Sequence, residues 1–395
     1  MRNISEILEY IEDNGVKFVK LSFSDLLGRH RNVSVNASHF AETADGFVID
    51  PVVFGADSDL LLIPRPETFT TMPWRPSSGA VVSVMCKVRR VDGKPFGCDC
   101  GDIVELADKR FMESTGCGVR MTTESEFYIF RTDESGEPTL IPVDNAGYLD
   151  AAPRDRCENL RRDIVFNLES MGMQPLSSHH EKGRGQNAVI FRECVPYMSA
   201  VNTMLFRSAV RNIAYTNGLY ASFAPCPKDG EVGSNFRIVA ALYNNGKPAG
   251  EKYAEAFARG VTARMSELAA FTNPVGNSYD RLALPTTPCG NGSDDRKPAV
   301  RVQSGGKVEI MFADTACNPF TSLALILAAG EEGMTGKKLP ESVPMPTSLS
   351  AALDTAENSD FIRRNLPAEY LEKYFAYKRR LASRTGREDI IAAGY

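Results

Sequence analysis

Several absences narrow this chain before any residue is assigned a role. No apolar run reaches the 18 or more residues that a membrane-spanning helix needs, so no membrane partner is expected. Neither GxGxxG nor GxxxxGKS occurs, which removes the two familiar glycine-rich phosphate cradles. No long basic block is present, and the formal net charge is −5, so nucleic acid is not the expected partner. Nine cysteines are scattered, and the one close pair, Cys98-Asp99-Cys100, lacks the spacer and the second pair of a zinc site. An odd count of scattered cysteines reads as free thiols in a reducing cytoplasm. The opening MRNISEILEYIEDNG reads as an acidic amphipathic helix and not as a signal peptide. No internal repeat or low-complexity stretch stands out.

What is present is an ordinary globular composition, 43% apolar and 24% charged over 395 residues, enough for a large core and two domains. Residues 4–14 carry a helical stripe of Ile4, Ile7, Leu8 and Ile11. Val16–Phe23 and Arg29–Val35 read as a hairpin around Asp25-Leu-Leu-Gly28, and Leu60–Ile63 and Val81–Met85 as further strands. A small, mostly β domain over 1–100 and a larger α+β domain over 101–395 follow. The second mixes strands with helices expected over Arg156–Met171, Asn202–Asn217, Gly250–Phe271 and Pro319–Gly333. Leu160, Ile164, Phe166 and Leu168 are the apolar positions expected in the first of these. Two or three short helices are expected between Pro344 and Tyr377. The order is α+β, not a regular βαβ series.

The most unusual segment is Glu124-Ser-Glu126-Phe-Tyr-Ile-Phe130. Residues i and i+2 of a strand share a face, so two carboxylates point together out of an apolar run. Like charges held close demand a cation or donors. Four other segments carry unusual polar content. His179-His180-Glu181 opens a glycine-broken loop and reads either as a solvated turn or as a metal or substrate loop. Asn273–Leu282 reads as an ordered loop holding Arg281. Asp294–Val302 offers Arg296 and Arg301 to an anion, or is a solvated charge run. Glu309 is another carboxylate on an apolar strand. Carboxylates and arginines together suit phosphate chemistry with hard divalent ions.

Strings along nearly the whole chain, VKFVKLSFSDLLG, ESEFYIF, HHEKGRGQN, NPVGNSYDRL and VEIMFADTACNPFTSLALILAAG among them, resemble the glutamine synthetase family in content and order. The resemblance implies an N-terminal β-grasp domain followed by a catalytic domain with a curved antiparallel sheet. It implies an ATP-dependent carboxylate–amine ligase acting through an acyl phosphate, with Mg2+ or Mn2+, small-molecule acid and amine substrates, and subunits stacked in two rings, typically of twelve in all. Carried over by position, Glu126 and Glu181 would bind a first ion, and Glu124 and Glu309 a second. Gly233 and Arg281 would meet the acid substrate, Arg296 and Arg301 the phosphates, and Asp45 and Asp59 the ammonium.

The departures from that pattern are as informative. The third ligand of the first ion is Ala188, and the histidine of the second is Arg237. Val232, Thr287 and Met311 replace an asparagine, a flap glutamate and an arginine. Arginine stays protonated and is a very poor metal ligand. Arg237 is therefore expected to form a salt bridge with Glu124, Glu309 or both and to help bind the nucleotide, with one ion instead of two. Two readings follow: a ligase for an acid other than ordinary glutamate with ammonia, or an inactive structural or regulatory ring protein that still binds nucleotide.

Overall fold

The structure is a computed structural model and describes residues 3–74, 79–292 and 295–382. Helix α1 (Ile4–Asp13) is closed at its start by a reciprocal Asn3–Glu6 capping box, and Ile7 is buried. Strands β1 (Phe18–Ser24), β2 (His30–Asn36), β3 (Phe47–Ile49), β4 (Leu60–Pro64), β5 (Thr70–Thr71) and β6 (Val81–Arg90) follow. They form a six-stranded sheet in the order β2-β1-β6-β4-β3, with β5 on β6. β1 runs parallel to β6, while β1–β2 is an antiparallel hairpin. Its tip is tied by Asp25, whose carboxylate accepts from the backbone of Leu27 and Arg29. Gly28 sits at φ +80°, and a Cβ there would meet Asn318 Cα at 2.7 Å. Glycine is thus needed both for the turn and for docking the tip on the second half of the chain.

Helix α2 (Cys100–Thr115) begins at Asp99, whose side chain caps it by accepting from Gly101. Cys98-Asp99-Cys100 is therefore a buried helix start, with both thiols free. Beyond it come β7 (Gly118–Thr132), β8 (Pro138–Pro142), α3 (Glu158–Ser170), β9 (Pro175–His180), β10 (Gln186–Phe191), α4 (Pro196–Thr216), β11 (Leu219–Ser222), β12 (Phe236–Asn244) and β13 (Lys247–Pro248). Then follow α5 (Glu251–Thr272), α6 (Gly276–Ala283), β14 (Val300–Gln303), β15 (Lys307–Ile310), α7 (Pro319–Met334), α8 (Leu349–Glu357), α9 (Asp360–Asn365) and α10 (Ala368–Ala382).

The nine strands from β7 onward form one antiparallel sheet, β14-β15-β12-β7-β10-β9, with β8 and β11 on β7 and β13 on β12. The long central strand β7 divides the molecule by alternation. Phe127 packs on Phe206 of α4 and on Phe223, while Glu124 and Glu126 face the other way. The α+β class, with its small β-sheet domain preceding a curved antiparallel sheet, is as expected.

Three local expectations need correction. Helix α4 starts six residues before Asn202, because Pro196 is well placed in a first helical turn, where its missing N–H is no loss. The segment read as a loop over Asn273–Leu282 is mostly α6, closed by Ser278 bonding back to Val275. Phe166, read as a core position, is 56% exposed. No helix among the described residues is long and apolar enough to cross a membrane.

Candidate active site

The register of the sheet sets out the site row by row. Glu126 on β7 lies opposite Ala188 on β10, which lies opposite His179 on β9. Glu124 lies opposite Arg237 on β12. Glu309 on β15 lies between Val239 and Arg301 of the flanking strands. Period-two alternation on every strand turns these positions to one face.

The expected salt bridge is present on both sides. Arg237 donates through Nη1 to Glu124 at 2.5 Å and through Nε to Glu309 at 2.5 Å. Among the described residues its remaining nitrogen, Nη2, has no hydrogen bond. Arg301, expected at a phosphate, donates instead to the other oxygen of Glu309 through Nε and Nη2, at 2.9 and 2.5 Å. Burial pushes the Glu309 carboxyl up, but the two guanidinium groups outweigh it and hold it below the usual carboxylate range. Glu124 shares a single arginine and adjoins Glu181. Burial dominates there and raises its pKa.

The other end of the face is answered differently. Glu126 is 8% exposed and accepts from the backbone and side chain of Asn235 and from the Gln186 amide, at 2.9–3.0 Å. These donors are neutral. Burial and the neighbouring Glu181 push Glu126 up to about 8. Glu181 accepts from His179 Nε2 at 2.9 Å and from the Lys182 backbone.

The ligand atoms of Glu124, His179 and Glu181 all lie within 4.8 Å of one another. The grouping differs from the pairing of Glu126 with Glu181 expected from sequence. Glu181 converges with Glu124 and His179, while Glu126 is engaged by Asn235 and Gln186 from the side. The donor set of carboxylate oxygen and imidazole nitrogen fits one divalent ion of the magnesium or manganese kind. The second ion's expected place, between Glu124 and Glu309, is occupied by a guanidinium.

Behind the face sits a support layer. His180 is wholly buried, with Nδ1 against the Glu181 carbonyl and Nε2 against Asp144, which also receives the Gly185 N–H. This fixes the loop carrying Glu181. Asp144, Asp155 and His180 also lie within ligand distance of one another, but Asp155 is held by Arg161 and Asp144 by backbone N–H groups and His180. That cluster is structural.

Arg281 is wholly buried and donates to the carbonyls of Met311, Phe312 and Ala313 and to Asn235 Oδ1. Burial lowers its pKa, and Glu126 and Asp314 partly oppose that. It orients Asn235, and through Asn235, Glu126. Gly233 belongs to the same packing: a Cβ there would meet Arg281 Cγ at 2.4 Å. Thr287, at the flap position, is buried and donates to the Arg281 carbonyl. Arg296 is exposed, with Nη1 3.0 Å from Cys289 Sγ. Asp45 and Asp59 are both exposed, but they flank opposite ends of the β3–β4 ladder. They stand about five positions apart, on the order of 16 Å at ~3.3 Å per residue. They do not meet within one chain.

Sequence reasoning placed His179 only in a loop that could bind metal or substrate, and it missed Asn235 and Gln186 as site residues. His179 shares a strand face with Glu181 two residues on, and Asn235 with Arg237, so period-two counting could have found both. Gln186 carried no such signal.

Small β-sheet first, acid-lined antiparallel cradle second: the fold and the site define a metal-handling ligase architecture. Residues 15–91 match the glutamine synthetase beta-Grasp domain and residues 105–388 the glutamine synthetase catalytic domain. The chain is 35% identical over 358 residues to a glutamine synthetase of Clostridium saccharobutylicum, covering 85% of this chain and 80% of that one. It is 32% identical over 415 residues to a glutamine synthetase of Methanosarcina mazei, covering 94% and 92%. A solved structure titled "Apo GmaS without ligand" superposes with a TM-score of 0.83 at 25% identity, covering 96% of this chain and 95% of that one. Another, titled "GmaS/ADP complex-Conformation 1", gives 0.84 at 24%, covering 98% and 99%. The chain belongs to the glutamine synthetase family. That family normally uses ATP and a divalent metal.

Proposed function

We propose that this chain is an ATP-dependent carboxylate–amine ligase whose acid and amine are not the ordinary glutamate and ammonia pair. In the overall reaction an acid, an amine and ATP give an amide, ADP and phosphate. A carboxylate oxygen of the acid attacks the γ-phosphorus, and the bond to the ADP oxygen breaks. The amine nitrogen then attacks the acyl carbon, phosphate leaves with the C–O electron pair, and the nitrogen loses a proton.

The observation that carries this reading is the charge balance of the face. Four buried carboxylates, Glu124, Glu126, Glu181 and Glu309, face two guanidinium groups, Arg237 and Arg301. Both arginines bear on Glu309, whereas among the described residues Glu126 and Glu181 have no guanidinium partner, so the excess of carboxyl groups lies at that end. Glu124, His179 and Glu181 would hold one Mg2+ or Mn2+ there, beside Glu126, and the ion would supply positive charge against phosphate oxygens. Arg237 takes the second ion's place, with Nη2 left for a phosphate oxygen. Ala188, wholly buried between His179 and Glu126, supports the single-ion reading because its methyl offers no ligand atom. Met311, adjoining Arg301, supports an altered acid substrate, since an uncharged thioether cannot hold a carboxylate.

Ring assembly belongs to the same proposal. It would let the exposed Asp45 or Asp59 reach a neighbouring subunit's site. A second reading, a ring protein that binds nucleotide without turnover, draws on one observation: the two arginines close the Glu309 side with no external cation. Phosphate release from ATP, with magnesium or manganese and a panel of acids and amines, separates the two. Turnover with at least one pair supports the ligase. Nucleotide-dependent thermal stabilisation with no release from any pair would sink it.

A further inference from the structure

The end of β7, the turn after β8 and the segment leading into α3 enclose a cavity of about 430 Å³. Arg131, Arg154 and Arg156 line it, and among the described residues Asp144 is the one carboxylate on its wall. Asp144 is buried and its oxygens are already engaged. Oδ1 lies 3.1 Å from His180 Nε2 and accepts from the Gly185 and Ala146 N–H groups, and Oδ2 accepts from the Arg156 N–H. Arg154 pairs with Asp150 at a long 3.4 Å, through a side chain that is 70% exposed. Arg131 reaches the Val143 carbonyl, at 3.4 Å, and has no ion pair among the described residues. The Arg156 guanidinium has neither a hydrogen bond nor an ion pair among them. Two of the three guanidinium groups therefore lack a carboxylate partner.

The backbone sets the spacing of these arginines. The Arg154 and Asp155 N–H groups both donate to the Ala151 carbonyl, and the Arg156 N–H to Asp144 ties this turn to the end of β8. The Val143 N–H donates to the Ile129 carbonyl, which fixes the same stretch against β7. None of Glu124, Glu126, Glu181 and Glu309 lines the cavity. It is separate from the acid-lined face and lies against the support layer of Asp144 and His180.

We propose that this cavity binds a small polyvalent oxyanion, one bearing phosphate or several carboxylates. Arg131 and Arg156 offer unpaired guanidinium groups, Arg154 can exchange a long, solvated ion pair for a closer one, and planar forks match the oxygens of either group. Asp144, turned to its own donors, does not neutralise them. The volume falls within the ~300–1,000 Å³ usual for small-molecule sites. This inference does not depend on the catalytic reading.

Titration calorimetry on the assembled, metal-free protein tests it, with pyrophosphate and citrate as separate probes. One equivalent per chain is expected at low salt, with the tighter probe assigning phosphate or polycarboxylate chemistry. The Arg131→Gln/Arg156→Gln variant should bind it about tenfold or more weakly, equivalent to ~1.4 kcal/mol. Arg156→Gln alone alters one exposed side chain and keeps the test open should the double variant not fold; a loss of about threefold is expected from one solvated contact. Arg363→Gln removes the same charge from α9, where the side chain is exposed and pairs with Asp360, and should bind as the parent does. Binding of neither probe, parental affinity in the cavity variants, or an equal loss in Arg363→Gln overturns the proposal.

Discussion

Two charged regions of this molecule pose opposite problems. On one face of the nine-stranded sheet four buried carboxylates are met by two arginines. At the seam between the hairpin tip and α4, four arginines line a cavity, and one of them, Arg31, pairs with Asp25. The acid face resolves part of its excess internally, through Arg237 and Arg301. At the basic seam, Arg207 donates to the Cys317 carbonyl and Arg211 lies over the Phe223 ring. The difference teaches where each kind of charge is tolerated. A carboxylate has to be answered by donors aimed at its oxygens, whereas a guanidinium can lean on an aromatic face or a carbonyl.

The comparison breaks most visibly at Arg237. Arg237→Met leaves Glu124 and Glu309 without their shared donor while keeping side-chain volume. Removing one partner of a fully buried pair costs ~3–5 kcal/mol. The Arg237 side chain is 35% exposed, and Arg301 still answers Glu309. A loss of about 2–3 kcal/mol in denaturant unfolding is therefore expected. A loss below about 0.5 kcal/mol, the range of ordinary surface changes, would mean that the carboxylates do not need the guanidinium.

On the basic side the sharpest test is Lys378. It is wholly buried beside Tyr374 and Tyr377, and burial first, then Arg29, push its pKa down to about 7. The unfolded chain keeps this proton to about pH 10.5, so between those values the unfolded state binds more protons than the folded one. Stability therefore rises with pH across that window, by about 1.4 kcal/mol per unit. Lys378→Met should remove that slope and be the more stable protein at pH 7. The check is a set of urea midpoints for both proteins from pH 7 to 9. Parallel curves would show that Lys378 keeps its proton in the fold.

Asn235 links the acid face to its support. It donates to Glu126 and accepts from Arg281, so Asn235→Ala removes a donor from a buried carboxylate and an acceptor from a buried guanidinium. The expected loss is about 1.5–2 kcal/mol, at the low end of the range for hydrogen bonds to charged groups. Manganese affinity should also weaken as Glu126 loses its orientation. Unchanged affinity would exclude Asn235 from the positioning role.

Much of this architecture is legible in the sequence, for specific reasons. The pair Glu124 and Glu126 is visible because strand alternation is strict, and the Arg237 bridge follows from the resemblance, which sets an arginine where a metal-ligating histidine would stand beside Glu124 and Glu309. Arg281 is not legible: an arginine in a polar segment looks available for a substrate, and only tertiary packing shows it wholly buried against three carbonyls. The ion pair of Arg301 is hidden for a related reason. The cross-strand register that places it on Glu309 is a long-range fact, absent from local spacing. Phe166 fits the helical stripe but lies at its edge, and the packing leaves it outside. The α4 start at Pro196 was available from the proline itself. The basic seam is invisible in sequence, because its arginines come from segments some 170 positions apart.

The smallest expected effect closes the comparison. Arg31→Gln also removes a guanidinium from a buried carboxylate, since Asp25 is 4% exposed. By contact geometry alone it resembles Arg237→Met. The surroundings differ: Arg31 is exposed at 44% of its side chain, and Asp25 keeps its two backbone donors without it. An exposed ion pair contributes about 0.2–1 kcal/mol, so the stability loss should stay under about 1 kcal/mol. Unfolding midpoints of the two variants, measured side by side at low and high salt, decide the point. The Arg31→Gln loss should shrink with salt while the Arg237→Met loss persists, because a solvated pair is screened and a largely buried one is not. Equal losses with equal salt dependence would show that the acid face and the basic seam are held by the same kind of contact.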